Sequence, residues 1–313
     1  MNREISVFAP ATVSNVACGF DVMGFAVNEP GDIATVRQID ESGVFLKNVS
    51  GDDGRLPREP SKNTAGIAVI EFLKRINAPG GIEIELQKKM PLGSGLGSSA
   101  ASAVAAVFAA NILFDNPLSR NELLPFVLEA EKAACGAAHA DNAAPALLGG
   151  FILIRSYNPL ETISLTVPEE LICTILHPAL EIRTEYAREI LSDKILLKDA
   201  VTQWGNIGGL VAGLLKRDYE LIGRSLQDVI AEPLRSKLIP GFSEIKKAAM
   251  SAGALGCSIS GSGPAIFALS KSKSTAHNVG QSMKDTCETK GINSNIYISE
   301  INNEGPRVIS QNE

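Results

Sequence analysis

The chain has 313 residues, 45% of them hydrophobic and 20% charged, with a net charge of -6. At roughly 150 residues per domain this is about two domains, each able to bury a core without disulfides or a structural metal. The balance excludes a disordered chain, and the acidic sign argues against a nucleic-acid binder, which needs clustered cations.

The opening MNREISVFAP lacks the apolar run of a secretory signal. The longest apolar stretch, within 100–114, is short and alanine-rich for a membrane span, so no membrane partner and a cytoplasmic location are expected. Strands are expected at 5–9, 31–39 and 44–49. Helical spacing follows at 64–76, where Ile67, Ile70, Leu73 and Ile76 recur near one face. Ile82, Ile84 and Leu86 alternate with Glu83, Glu85 and Gln87, the period of a half-exposed strand. A glycine–serine loop precedes an alanine-rich helix that runs to about 114, and a further helix is expected at 121–137. Strands at 151–157, 162–167 and 171–176 come next. Helices are then expected at 184–191, 197–216, 219–230 and 243–252. A strand, glycine turn and strand cover 258–269, and a helix at 275–290 and a strand at 295–299 end the fold. Strands and helices mix without strict alternation, which points to α+β. Five scattered cysteines, Cys18, Cys135, Cys173, Cys257 and Cys287, show no metal-ligand spacing and read as inert thiols in a reducing cytosol.

The most informative segment is PLGSGLGSSAA, Pro91 to Ala101. Gly93, Gly95 and Gly97 let backbone amides turn towards a bound group. Ser98 and Ser99 stand at a helix start, where free N–H groups and the positive dipole end suit phosphate oxygens. A serine hydroxyl there could also reach Mg²⁺. The loop lacks the lysine of GxxxxGK[ST], and Ser98 stands where GxGxxG needs its third glycine. On these residues alone a plain connecting turn stays open.

Three ordered segments resemble the GHMP kinases, the galactokinase–homoserine kinase–mevalonate kinase–phosphomevalonate kinase superfamily. They are APATVSNVACGFDVMGFAV at 9–27, the phosphate-type loop, and SISGSGPAIFAL at 258–269. HADNAAPALLGG at 139–150 and TEYAREIL at 184–191 look most like its homoserine kinase branch. The resemblance covers residues 5 to 269 or so. It implies a two-domain GHMP kinase fold, with a ribosomal-protein-like N-terminal domain (1–165, ATP-binding) and a ferredoxin-like C-terminal domain (166–313). It also implies transfer of the ATP γ-phosphoryl group, with Mg²⁺, to the side-chain hydroxyl of L-homoserine, on the route to threonine. A homodimer is compatible with it.

The resemblance carries ATP binding onto Pro91, Leu92, Gly93, Ser94, Gly95, Leu96, Gly97, Ser98, Ser99, Ala100 and Ala101. Asn63 and Lys88 carry over more weakly, as positions near the adenosine. The metal falls to Ser98 and Glu131; helical spacing does not choose between Glu131 and Glu129, and only the motif register favours Glu131. The substrate ammonium falls to Asn15 and Asp21, which could equally form an Asx turn leading into Gly24. The substrate carboxylate falls to Arg188 and Arg235, and Arg188 also stands with Asn142 and Asp141 as a candidate catalytic residue. His139 and Asn142 line the homoserine pocket in this reading, Asn142 near the attacking hydroxyl. His139 could instead be a histidine at a helix C-terminus, stabilised by the dipole. Asp141 is a minority candidate for a base, because a loose transition state asks for little early proton removal. His177 and His277 have no motif context. The alternatives are another kinase of the superfamily, of mevalonate or diphosphocytidyl-methylerythritol type, and a non-catalytic ATP-binding regulator. The first explains Asp21 with Arg188 and Arg235 poorly.

Overall fold

The computed structural model describes residues 3–312; the side chains of residues 134 and 135, the Cys135 thiol among them, lie outside the described residues. The first half runs β1 (Glu4–Ser14), β2 (Met23–Ile39), β3 (Gly43–Ser50), α1 (Thr64–Ile76), β4 (Gly81–Gln87), α2 (Ser98–Leu113), α3 (Arg120–Cys135), α4 (Ala140–Leu148), β5 (Phe151–Tyr157) and β6 (Leu160–Leu165). The second half runs β7 (Ile172–Pro178), α5 (Thr184–Glu189), α6 (Leu197–Lys216), α7 (Tyr219–Ser225), α8 (Glu232–Arg235), α9 (Phe242–Ser251), β8 (Gly256–Ile259), β9 (Ile266–Ser270), α10 (Lys273–Thr289), β10 (Ser294–Glu300) and β11 (Arg307–Asn312).

Two sheets organise the chain, and the α+β expectation holds. One carries β11-β1-β2-β4-β3 in that order, with β5 and β6 continuing from β2. In β4 the alternation buries Ile82, Ile84 and Leu86, as period two requires. Helix α2 packs on β1 and β2, and its wholly buried alanines allow that close approach. The second sheet has the order β10-β7-β9-β8, all antiparallel. Numbered within that half, the order is 4-1-3-2 with crossover helices, the split βαβ arrangement of ferredoxin-like domains.

The main hydrophobic cluster does not stop at the half-way point. Phe25 of β2 stacks on Phe151 at 4.6 Å and meets Phe267 of β9 edge-on at 6.1 Å. A smaller cluster, including Ile245, Val279 and Met283, fills the space between the second sheet and α9 and α10. A cut at residue 165 would also detach β11 from the sheet it completes, because Ile5 pairs with Gln311.

Several elements differ from the sequence reading: β1 runs on to Ser14 and β2 starts at Met23, where strands were expected only at 5–9 and 31–39. Residues 140–148 form a helix despite Pro145, so His139 is its N-cap and not a helix C-terminal residue. The helix expected to reach 230 ends at Ser225, because the Asp228 carboxylate accepts the N–H groups of Ile230, Ala231 and Glu232 at 2.8–3.0 Å and starts α8 instead. The terminal strand β11 was not anticipated.

Candidate active site

A cavity of about 700 Å³ opens between the two halves. The glycine–serine loop lines it, together with the turn at Gly261 and Ser262. Gly93, Gly95 and Gly97 all have φ between +63° and +77°, which explains the residue type. A Cβ at Gly97 would stand 2.1 Å from Thr12 Oγ1 and 2.7 Å from Asn142 Oδ1. The loop is stitched to the second half by Ser260 Oγ, which donates to Gly95 O at 2.7 Å, and by Ala265 N, which donates to Ser94 O at 3.1 Å. Leu92 through Ser99 line the cavity; Pro91 does not, and Ala100 and Ala101 are sealed within the core.

Beneath the loop lies a buried ion pair that the sequence reading missed. Asp32 and Lys88 are both almost fully buried and bonded to each other. Lys88 Nζ also donates to Ser98 O at 2.9 Å and Ser102 Oγ at 2.6 Å. Asp32 accepts from Ser98 Oγ at 2.8 Å and from Lys89 N at 2.9 Å. The resemblance places Lys88 near the adenosine, and Lys88 does line the cavity, but the resemblance says nothing of this pair. A signal existed: Lys88 continues the inward parity of Ile82, Ile84 and Leu86, and a lysine facing a core demands a carboxylate. Ser98 spends its hydroxyl proton on Asp32, so its lone pairs remain for the cavity.

Asn63 lines the cavity, but its amide caps α1, accepting from Ala65 N at 3.1 Å and donating to Pro57 O at 3.1 Å. Glu131 is 2% exposed and its Oε1 has no hydrogen-bond partner, whereas Glu129 is exposed. His139 Nδ1 stands 3.8 Å from Glu131 Oε2, and the carboxylate raises the imidazole's proton affinity. The other histidines lie outside the cavity: His177 is buried and pushed down by burial, and His277 is exposed.

The segment after β1 holds Asn15, Val16, Ala17 and Asp21 at positive φ, a rare backbone for a β-branched residue such as Val16. Asn15 Nδ2 donates to Gly261 O at 2.9 Å, and its Oδ1 accepts from Asp21 N at 3.0 Å. Tyr157, another residue the sequence reading missed, donates its hydroxyl to Asp21 O at 2.7 Å. Thr12 donates to Asn142 Oδ1 at 2.8 Å, which turns the amide NH₂ towards the cavity. Arg188 Nη2 donates to Asp21 Oδ1 at 2.8 Å and Oδ2 at 2.9 Å, a pairing not foreseen. Arg235 is buried, donating from Nε to Ala187 O at 3.0 Å and from Nη1 to Gly261 O at 2.9 Å. Burial, and then Arg188, weaken its hold on its proton, but a guanidinium stays charged. Both arginines lie over the Phe20 ring.

Asp141 is buried with Oδ1 unpartnered, and burial, with the Asp21 charge nearby, pushes its carboxyl up to about 6; His139 pulls the other way. An acid raised in the folded state contributes stability that is complete below its unfolded value and is lost as pH rises through about 6. Asp141→Asn should therefore raise Tm by a few degrees at pH 7.5, on the order of 2–3 kcal/mol, and change it little at pH 4. Thermal melts at the two pH values check this; an equal shift at both would contradict it.

The four described cysteines are buried and free, and burial pushes the Cys18 and Cys257 thiols up to about 12, which leaves them unreactive at neutral pH. No helix of the described residues is long and apolar enough to cross a membrane.

Comparison with known proteins gives this geometry a family. The model for the GHMP kinases N terminal domain matches residues 63–150, and that for GHMP kinases C terminal matches 210–289. A homoserine kinase from Chlorobium phaeobacteroides is 53% identical over 320 aligned positions, covering 98% of this chain and 100% of the relative. One from Xylella fastidiosa is 39% identical, covering 98% and 94%. A crystal structure of homoserine kinase from Cytophaga hutchinsonii superposes with a TM-score of 0.96 at 58% identity, covering 98% and 97%. A mevalonate kinase from L. major, 16% identical with a TM-score of 0.72, shares the fold. With that identity sustained along nearly its whole length, the chain belongs to the homoserine kinases of the GHMP kinase family.

Proposed function

We infer that this enzyme transfers the γ-phosphoryl group of ATP to the side-chain hydroxyl of L-homoserine, giving O-phospho-L-homoserine on the route to threonine. The observation that carries this reading is one cavity lined both by a phosphate-type loop and by Asp21, Arg188 and Arg235. That charge set complements an amino acid; mevalonate, with a carboxylate but no ammonium, would leave Asp21 unanswered, and a neutral sugar would leave the whole set so. Residues 1–165 supply the ATP end, and residues 166–313 supply the arginines and the facing glycine turn.

Each chain residue then has a task. The loop amides from Gly93 to Ser99 and the start of α2 cradle the ATP phosphates. Asn142 directs its NH₂ at the substrate hydroxyl oxygen and positions it; an amide is no base, so the chemistry relies on alignment and charge. The residues also fit a hard cation, because Glu131 and Ser98 line the same cavity and one buried carboxylate oxygen of Glu131 has no partner. Mg²⁺ held by Ser98 and Glu131 would screen the phosphate charge. Asp141 stands near the ammonium end with Asp21, which suits substrate binding better than proton removal.

A cytoplasmic location suits the free thiols. A homodimer would cover the exposed apolar side chains of Leu196, Leu197, Val201 and Trp204 along the start of α6. ADP release from MgATP, measured with L-homoserine, mevalonate and galactose, tests the function. Turnover with homoserine is expected; turnover of another alcohol alone would overturn it. Arg235→Met should raise the homoserine KM on the order of a hundredfold while leaving the ATP KM within about threefold. A matched rise in both constants would count against a role in holding the amino acid.

A further inference from the structure

Asp21 and Arg188 are assigned to opposite ends of the same substrate, yet here they hold each other. A single nitrogen of Arg188 bridges both carboxylate oxygens, at 2.8 and 2.9 Å. Neither group can give its full bonding to a ligand while that bridge stands. We propose that this pair is an exchangeable filter: a zwitterionic hydroxy amino acid replaces it one charge for one, and a ligand carrying a single charge cannot.

The exposures suit such an exchange. The two side chains are 42% and 34% exposed, so the pair contributes little to folding and opens at small cost. The balance changes once a ligand fills the cavity and excludes water. An ammonium against Asp21 and a carboxylate against Arg188 restore both partnerships. A hydroxy acid without the ammonium draws Arg188 away and strands Asp21 beside Asp141, two carboxylates in a desolvated pocket. An amino alcohol without the carboxylate strands Arg188 beside Arg235, a buried guanidinium with no carboxylate partner among the described residues. The neighbours thus amplify the mismatch: each half of the pair has a like charge next to it. Phe20 lies under both guanidinium groups, so Arg188 keeps one contact while it changes partners. Selection of the amino acid then comes from repulsion within the site as well as from attraction.

This inference rests on the function proposed above. The test compares wild type with Asp21→Asn on L-homoserine and on 4-hydroxybutyrate, which has the same hydroxyl and carboxylate but no ammonium. Asparagine tolerates the backbone at residue 21, where φ is +58°. The variant is expected to lose at least a hundredfold in kcat/KM for homoserine and to gain at least tenfold over wild type for 4-hydroxybutyrate, because Arg188 no longer has a resident competitor. Arg188→Gln assayed with 3-amino-1-propanol is the mirror experiment and should also gain, which keeps the idea testable if the first variant folds poorly. Loss of homoserine turnover with no gain on either analogue would overturn the exchange and leave the assigned function standing. No homoserine turnover by wild type would overturn that function, and the exchange with it.

Discussion

Asp32→Ala should lower the stability of the enzyme by about 3–5 kcal/mol, the cost of leaving a buried lysine without its carboxylate. Lys88 is sealed beneath the phosphate loop and has no other carboxylate partner among the described residues. The same substitution frees Ser98, whose hydroxyl is donated to Asp32, and removes the acceptor for Lys89 N. The loop should therefore lose its set orientation as well as its anchor. Lys88→Met should destabilise by a similar amount, for the complementary reason. The double variant Asp32→Leu with Lys88→Met separates the two effects. Without either buried charge it should recover much of the lost stability, yet still use ATP poorly, because Ser98 and Ser102 have lost the groups that orient them. Denaturant midpoints and the ATP KM of all three variants check this. Single variants within about 1 kcal/mol of wild type would show that the pair is not the anchor.

Most of the framework was legible where a pattern is local. The alternation in β4 and the spacing in α1 needed only a few neighbouring residues. What escaped depended on distant partners. The last strand has every residue exposed, so it carries no apolar pattern; it exists because β1, about 300 positions away, offers an open edge. Helix α4 was hidden by Pro145 and by the glycines that follow it. The site shows the same division. The glycines and serines of the loop announce themselves, because a tight approach needs particular residue types at fixed spacing. The pairing of Asp21 with Arg188 spans 167 positions, and a resemblance names both residues without saying that they meet. The resemblance gives Asn15 to the ammonium; it lines the cavity, and its amide bonds to Asp21 N and Gly261 O could be read only from the structure.

Gly95→Ala isolates the contact between the two halves. Residue 95 has φ of +77°, where any Cβ is strained by about 1–2 kcal/mol. The larger difficulty is space. The new Cβ would stand 2.5 Å from Ser260 O and 2.7 Å from Gly263 O. Both are backbone atoms and cannot rotate aside, so the loop and the facing turn must separate. That movement stretches the bonds from Ser260 Oγ to Gly95 O and from Ala265 N to Ser94 O. It also shifts the phosphate cradle relative to Arg235, which bonds to the same turn at Gly261 O. A displacement near 1 Å between reacting groups reduces turnover on the order of a hundredfold. Gly291→Ala is the control: its φ is +73°, but nothing lies within 4 Å of the added Cβ. It should show the backbone strain alone, about 1 kcal/mol in the denaturant midpoint, with kcat/KM within about twofold of wild type. The Gly95 variant should show that strain together with the hundredfold loss in kcat/KM for homoserine. Equal behaviour of the two variants would mean that the halves adjust to each other freely, and that their close contact does not set the alignment of ATP with its acceptor.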